Sequence, residues 1–258
     1  MIIRFQDHLK NKLFGILENE KIKVIDGDIL TESDFTITNQ ELKLEDVTLL
    51  APTHPSKVVC IGLNYVDHAK EVNLELPEEP LIFIKPSTTV IGTNDLVVYP
   101  EQTKKLEYEA ELGIVIGKKT RNVSKEKAKD AILGYTIAND MTARDLQFSD
   151  GQWTRGKSFD TFCPIGPGII RNIDPENLDI TLHVNGELKQ HSNTKNLIFD
   201  VEYIVSYVSK VMTLLPGDII ITGTPFGVGP VKPGDEMVVR IEGIGELRNK
   251  IVSSEARD

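Results

Sequence analysis

The sequence predicts a mainly β protein of the α+β class, with a small β-rich N-terminal piece ahead of a larger strand-dominated unit. Three observations lead there. Apolar runs are short and mostly bounded by Gly, Pro or Asn-Gly. Helical signals are few. A chain of 258 residues with 40% hydrophobic content is long enough to bury a large core.

Residues 1–46 read as short strands, with Phe14-Gly15-Ile16-Leu17 and Ile22-Lys23-Val24-Ile25 on either side of a polar Glu18-Asn19-Glu20-Lys21 turn. Two prolines in Ala51-Pro52-Thr53-His54-Pro55 disfavour regular structure, and Lys57-Val58-Val59-Cys60-Ile61-Gly62 then opens a buried strand. The boundary is expected near residue 50, dividing an accessory domain at 1–50 from the main domain at 51–258. Further strand-like runs fall at 81–84, 97–99, 110–116, 134–138, 180–184, 219–222 and 237–241. Ser124 can cap a helix over 125–133, and Val201, Ile204, Val205, Val208, Val211 and Met212 recur at helical spacing.

Composition excludes several classes. Asp and Glu number 39 against 29 Lys and Arg, a formal charge of -10 that repels nucleic acid and anionic membranes, and no basic patch offsets it. Residues 1–12 hold no apolar stretch of signal-peptide length and no later run approaches a membrane span, so a cytoplasmic location is expected. Cys60 and Cys163 lie far apart, outside any paired-cysteine spacing, which argues against a disulfide framework or a zinc site.

In Leu106-Glu107-Tyr108-Glu109-Ala110-Glu111-Leu112-Gly113 the residues after Glu111 read as a buried strand, and extending it back places Glu109 and Glu111 on one face. Glu107 shares their parity but lies nearer the loop. Neighbouring carboxylates repel unless a cation sits between them, and all-oxygen ligation suits Mg2+, Mn2+ or Ca2+. Asp140, at the end of the 134–138 strand, is the candidate third ligand. An E-x-E pattern by itself also fits the wet face of an edge strand.

Downstream of the 57–62 strand, His68 and Glu71 share a face at three-residue spacing, and a carboxylate beside an imidazole orients it and raises its basicity. A solvated surface pair fits the same spacing. Arg144 and Gln147, with Arg155 and Lys157, form polar, basic segments around Trp153 where cations can hold a carboxylate or a developing enolate. Ordinary loop chemistry also accounts for them. The Gly-rich run Thr222-Gly223-Thr224-Pro225-Phe226-Gly227 lacks the ending of a nucleotide P-loop and reads as a tight loop offering amides and the Thr224 hydroxyl to a small ligand.

Taken together and in order, these blocks resemble the fumarylacetoacetate hydrolase family over about residues 57–250. The resemblance is carried by Gly62-x-Asn64-Tyr65-x-x-His68-Ala69-x-Glu71, Lys85-Pro86, Glu109-x-Glu111-Leu112-Gly113, Asn139-Asp140-Met141-Thr142-Ala143-Arg144-Asp145-x-Gln147, Gln152-Trp153 with Lys157-Ser158-Phe159-Asp160, Val184-Asn185-Gly186-Glu187, and Pro216-Gly217-Asp218 with Thr222-Gly223-Thr224-Pro225. It implies a β-roll catalytic domain with flanking helices at 51–258, usually in a homodimer. By position it implies Glu109, Glu111 and Asp140 as ligands of Mg2+ or Mn2+, His68 and Glu71 as a water-activating dyad on a lid, Lys157 as the enolate-stabilising lysine, and Arg144, Gln147 and Thr224 as substrate contacts. The long animal enzyme of tyrosine breakdown has a further Asp ligand in an N-terminal motif, whereas this chain has Asn64 and Tyr65 in a Gly-x-Asn-Tyr segment.

The expected activity is metal-dependent cleavage of a carbon–carbon bond in a 2,4-dioxo acid of acylpyruvate or fumarylpyruvate type, through a metal-bound enolate. Alternatives within the same site are decarboxylation of oxaloacetate and isomerisation or decarboxylation of a 2-hydroxyhepta-2,4-diene-1,7-dioate in aromatic-compound degradation. A metal-dependent small-molecule binding protein is the non-enzymatic alternative.

Overall fold

The computed structural model describes residues 1–30, 35–71 and 75–257. Its N-terminal strands are β1 (Ile2–Gln6), β2 (Lys12–Glu18), β3 (Lys21–Asp26), β4 (Thr36–Lys43) and β5 (Thr48–Leu50). Asn19 and Glu20 both take positive φ between β2 and β3, the backbone that a two-residue hairpin turn requires. Next come β6 (Lys57–Gly62), α1 (Val66–Glu71), β7 (Leu81–Pro86), β8 (Val90–Ile91), β9 (Leu96–Tyr99), β10 (Leu106–Tyr108) and β11 (Ala110–Ile116). They are followed by α2 (Lys125–Ala128), β12 (Ile132–Asn139), β13 (Thr142–Ala143), α3 (Arg144–Asp150), α4 (Thr154–Lys157) and β14 (Cys163–Ile170). The chain ends with β15 (Asp179–Val184), β16 (Glu187–Asn193), α5 (Val201–Val211), β17 (Ile219–Ile221), β18 (Gly229–Pro230), β19 (Glu236–Ile241) and β20 (Gly245–Ser253).

The main sheet runs β4-β3-β2-β1-β14-β12-β11-β17-β6-β7, with β5 on β1 and β8 on β14. The N-terminal strands thus extend the same sheet, joined where Ile2 meets Ile169. A second sheet, β16-β15-β19-β20-β9, packs against it, and β13-β10-β18 forms a short third one. At the centre β11 is buried along its whole length. Its even-numbered residues Ala110, Leu112, Ile114 and Ile116 enter the core shared with β15, β19 and α5, while Val115 enters a second core with Val58, Cys60 and Ile219. Alternation therefore sends the odd-numbered Glu111 away from the larger core. Both cysteines are buried and free, and among the described residues no helix is long and apolar enough to cross a membrane.

The helix expected over 125–133 is shorter. It ends at Ala128, continues as a 3-10 turn over Lys129–Ala131, and Ser124 stands at its N-cap without a side-chain capping bond. Residue 132 is already in β12, paired with Ile116, so strand pairing against β11 overrides local helical preference.

One buried carboxylate fixes the joint between β6 and β17, whose C-terminal ends lead into the site. Asp218 accepts from Ser56 N (3.0 Å), Ser56 Oγ (2.7 Å), Lys57 Nζ (2.5 Å) and Leu215 N (2.8 Å). Asp218→Ala leaves these donors and the Lys57 ammonium unpaired. A loss of about 3 kcal/mol or more in unfolding free energy is expected, measured by urea denaturation; a change below about 1 kcal/mol would show that solvent replaces the carboxylate.

Candidate active site

The carboxylates come together through strand register. Ala110 faces Asn139 and Glu111 faces Ala138 across β11 and β12, so Asp140, one step past the pair, lies opposite Glu109. Asp140 N donates to Glu109 O at 2.8 Å and Glu109 N donates to Asn139 Oδ1 at 3.0 Å, locking the two turns together. Glu109, Glu111 and Asp140 are all buried and each offers an oxygen within 4.8 Å of the others. Glu107 stays outside this group. Its strand, β10, belongs to the short third sheet, and its carboxylate pairs with Arg144 Nε (2.6 Å) and Lys105 Nζ (2.9 Å).

Three cations serve this cluster unequally. Lys157, 2% exposed, donates to Glu109 Oε2 (2.8 Å) and Asp140 Oδ2 (2.7 Å). Arg144 forks to Glu107, to Glu109 Oε1 and to Gln147 Oε1. Lys85, fully buried on β7, pairs with Asp140 Oδ1 and donates to Met141 O at 3.0 Å. Burial raises the Glu109 carboxyl, but Lys157 and Arg144 outweigh it and hold the group below the usual range. Glu111 is different: among the described residues no cation lies within salt-bridge distance of it, and its bonded partner is Gly223 N at 2.6 Å. Burial first, then the charges of Asp140 and Glu109, push its carboxyl well above the usual range. A buried carboxylate with this need, in an all-oxygen donor set, fits a hard divalent cation held by Glu109, Glu111 and Asp140.

Lys85 shows in the sequence only as part of the Lys85-Pro86 block. The apolar run before it gives no further signal, because β7 is an edge strand with Leu81 and Ile84 exposed and Lys85 its one buried residue, and a buried ammonium needs the partners that Asp140 and Met141 supply.

On α1, His68 Nδ1 meets Glu71 Oε2 at 2.8 Å, and Glu71 Oε1 accepts from Gly227 N at 3.0 Å. This leaves His68 Nε2 for the cavity. Asn64 ties the start of α1 to the Gly-rich loop, donating to Thr222 O (2.8 Å) and accepting from Phe199 N (2.8 Å). Its amide is engaged with backbone, and Gly223, with φ +96, passes so close that a Cβ would sit 2.8 Å from that of Asn64.

A cavity of about 360 Å3 is lined by His68, Glu109, Glu111, Asp140, Arg144, Gln147, Lys157 and Thr224, with Glu71 standing behind His68. Its apolar wall is Ile61, Leu63, Phe83, Phe148 and Trp153. Phe83 meets Trp153 edge to face, and Lys157 Nζ lies 5.1 Å from the Phe83 ring centre. Phe148 is 77% exposed at the cavity's edge. The lining combines charged and polar groups with an apolar set, a combination suited to a small acid with a less polar tail.

Known proteins resemble this chain in sequence and in fold. The family model for the fumarylacetoacetate (FAA) hydrolase C-terminal region matches residues 57–252, and an N-terminal model named Rv2993c-like matches residues 1–52. A mitochondrial oxaloacetate tautomerase of Xenopus laevis is 45% identical over 90% of this chain and 77% of its own length. The crystal structure of 2-hydroxyhepta-2,4-diene-1,7-dioate isomerase from Mycobacterium marinum has a TM-score of 0.91 and 43% identity, covering 98% of both chains. That of fumarylpyruvate hydrolase from Pseudomonas aeruginosa, in complex with Mn2+ and pyruvate, has a TM-score of 0.74 and 36% identity, covering 84% of this chain and 93% of that one. With the carboxylate cluster, the imidazole pair and a family match through most of its length, this chain belongs to the fumarylacetoacetate hydrolase family and is an enzyme of that family.

Proposed function

We propose that this enzyme is a divalent-metal-dependent hydrolase that cleaves the carbon–carbon bond of a 2,4-dioxo acid of acylpyruvate type. The observation that carries the reading is the convergence on one cavity of an oriented imidazole and a triad of buried carboxylates. Mg2+ or Mn2+ held by Glu109, Glu111 and Asp140, with Ca2+ as a substitute, supplies Lewis-acid polarisation of the 2-oxo group when bound.

The chain's own residues do the rest. His68, oriented through Nδ1 by Glu71, takes a proton from water at Nε2 as the water oxygen adds to the distal carbonyl carbon. The bond between that carbon and the methylene breaks, its electron pair passes into the pyruvate half as an enolate, and the proton on His68 returns to the methylene carbon. Lys157 stabilises the negative charge that develops, while Arg144, Gln147 and the Thr224 hydroxyl bind the acid's oxygens. The Phe148 and Trp153 wall receives the acyl tail.

One observation favours a second reading. The Xenopus relative named an oxaloacetate tautomerase is 45% identical over 90% of this chain, closer than the fumarylpyruvate hydrolase at 36% over 84%. In keto–enol exchange His68 would move a proton between carbon and oxygen with no water consumed. A panel of acylpyruvates, oxaloacetate and an unsaturated 2-hydroxy dioate, run with Mg2+ and with Mn2+, separates these chemistries. Pyruvate release from an acylpyruvate, lost in chelator and restored by either ion, is expected. Enol–keto exchange of oxaloacetate with no acylpyruvate cleavage would replace hydrolysis by tautomerisation, and turnover of no oxo acid would sink both.

A further inference from the structure

The loop that carries Thr224 and binds Glu71 is governed from the other sheet. Gln190, on β16, is fully buried. Its Oε1 accepts from Ala110 N at 3.0 Å, on the residue between Glu109 and Glu111. Its Nε2 donates to Thr224 Oγ1 at 2.9 Å and to Pro225 O at 2.9 Å, with Phe226 O farther away at 3.4 Å. The amide's orientation is set by its neighbours: Ala110 N–H can only donate and the Pro225 carbonyl can only accept, so exchanging oxygen and nitrogen would oppose like groups on both sides. Nε2 carries two hydrogens, and its two short contacts direct them to Thr224 and Pro225.

The consequence falls on Thr224. Its hydroxyl oxygen accepts from Gln190, so its own proton must point elsewhere, and among the described residues no protein acceptor takes it. Thr224 is buried and lines the cavity. Nearby, Gly227 (φ +92) packs so tightly on β16 that a Cβ would lie 2.4 Å from Lys189 O, and Gly227 N is the donor that holds Glu71. Gln190 therefore sits at the point where the carboxylate strand, the Thr224 loop and the support of the imidazole pair meet.

We propose that Gln190 is a positioning residue that commits the Thr224 hydroxyl to donate into the cavity, so that the site selects ligands with an acceptor oxygen, carboxylate or oxo, at that point. The proposal rests on the oxo-acid reading above. Its test is a double-variant cycle read by calorimetric binding of oxalate, a dianion with only acceptor oxygens, to Mn2+-loaded protein. Gln190→Glu keeps the oxygen that Ala110 needs but offers Thr224 an acceptor, turning the hydroxyl proton away from the cavity. Thr224→Val removes the hydroxyl. Each is expected to weaken oxalate binding about tenfold or more, and the double variant is expected to match Thr224→Val within about threefold. Thr224→Ser, which keeps the hydroxyl, is expected to hold wild-type affinity within about threefold while Gln190 is present, and to lose it when combined with Gln190→Glu.

Losses that multiply in the double variant would show that Gln190 acts independently of Thr224 and would overturn the proposal. If Gln190→Glu does not fold, Gln190→Met enters the same cycle with the same criterion. Wild-type protein that binds no oxalate would overturn the oxo-acid reading and this proposal with it, whereas oxalate binding with multiplying losses overturns the proposal alone.

Discussion

Glu111→Gln is expected to weaken Mn2+ binding by on the order of a hundredfold or more and to abolish turnover at ordinary metal concentrations. The substitution removes the one carboxylate of the triad that lacks a cationic partner among the described residues. It leaves shape almost unchanged, and the amide oxygen can still accept from Gly223 N. Removing a charge opposed by burial, Asp140 and Glu109 is also expected to leave the chelator-treated protein at least as stable as wild type. Calorimetric titration with Mn2+, together with melting temperatures in chelator and in Mn2+, reads both effects. Unchanged Mn2+ affinity would remove Glu111 from the ligand set. Comparable damage from Glu107→Gln, whose carboxylate is paired with Arg144 and Lys105, would move the site along the strand.

What sequence can show of this site follows from how local each arrangement is. Glu109 and Glu111 are two residues apart, and Asp140 ends a strand whose apolar run is plain, so the candidate ligands are readable as chemistry even though only the β11–β12 register brings them together. Parity does not exclude Glu107, because the break at Glu109 that puts β10 in another sheet is a tertiary event. Lys85 is readable in part, through the Lys85-Pro86 block, but its burial at one position of a largely exposed edge strand is not. Gln190 is not. Its partners lie 80 and 34 residues away, and nothing in Gln190 itself distinguishes a buried bridge from a surface amide. The fold shows the same division: short apolar runs announce the strands, while the helix from residue 125 is cut short by a pairing that sequence periodicity does not register.

The three cations show why the polar cluster tolerates burial and how it can serve catalysis. Arg144 joins Glu107, Glu109 and Gln147, and Lys85 holds Asp140 from the side of β7, so two of the carboxylates are oriented by groups with other anchors in the fold. Lys157 bridges the same two carboxylates and also lines the cavity. That double position suits a residue that meets charge developing on a ligand. Lys85 lacks it, since the cavity is lined without it.

His68→Ala is expected to depress acylpyruvate cleavage by roughly a hundredfold to ten-thousandfold, the range for a lost general base. Oxaloacetate decarboxylation, where present, is expected to fall much less, because loss of carbon dioxide needs no water nucleophile while its electrons end in the same enolate. Lys157→Met is expected to damage both reactions, since each builds that enolate. Keto–enol exchange of oxaloacetate, followed by the absorbance of its enol rather than by pyruvate, is expected to fall in His68→Ala as hydrolysis does, because it needs a proton carrier. The bonds around His68 set the alternatives: Nδ1 is tied to Glu71 within α1, and Glu71 accepts from Gly227 N, so the imidazole presents Nε2 and also steadies the carboxylate that joins α1 to the Thr224 loop. Rates of pyruvate formation from both substrates at matched metal saturation separate the two roles. Equal losses of both activities in His68→Ala would mean that the histidine orders α1 against the loop, and its assignment as the base would fall; rates near wild type would make it a surface pair with no part in the chemistry.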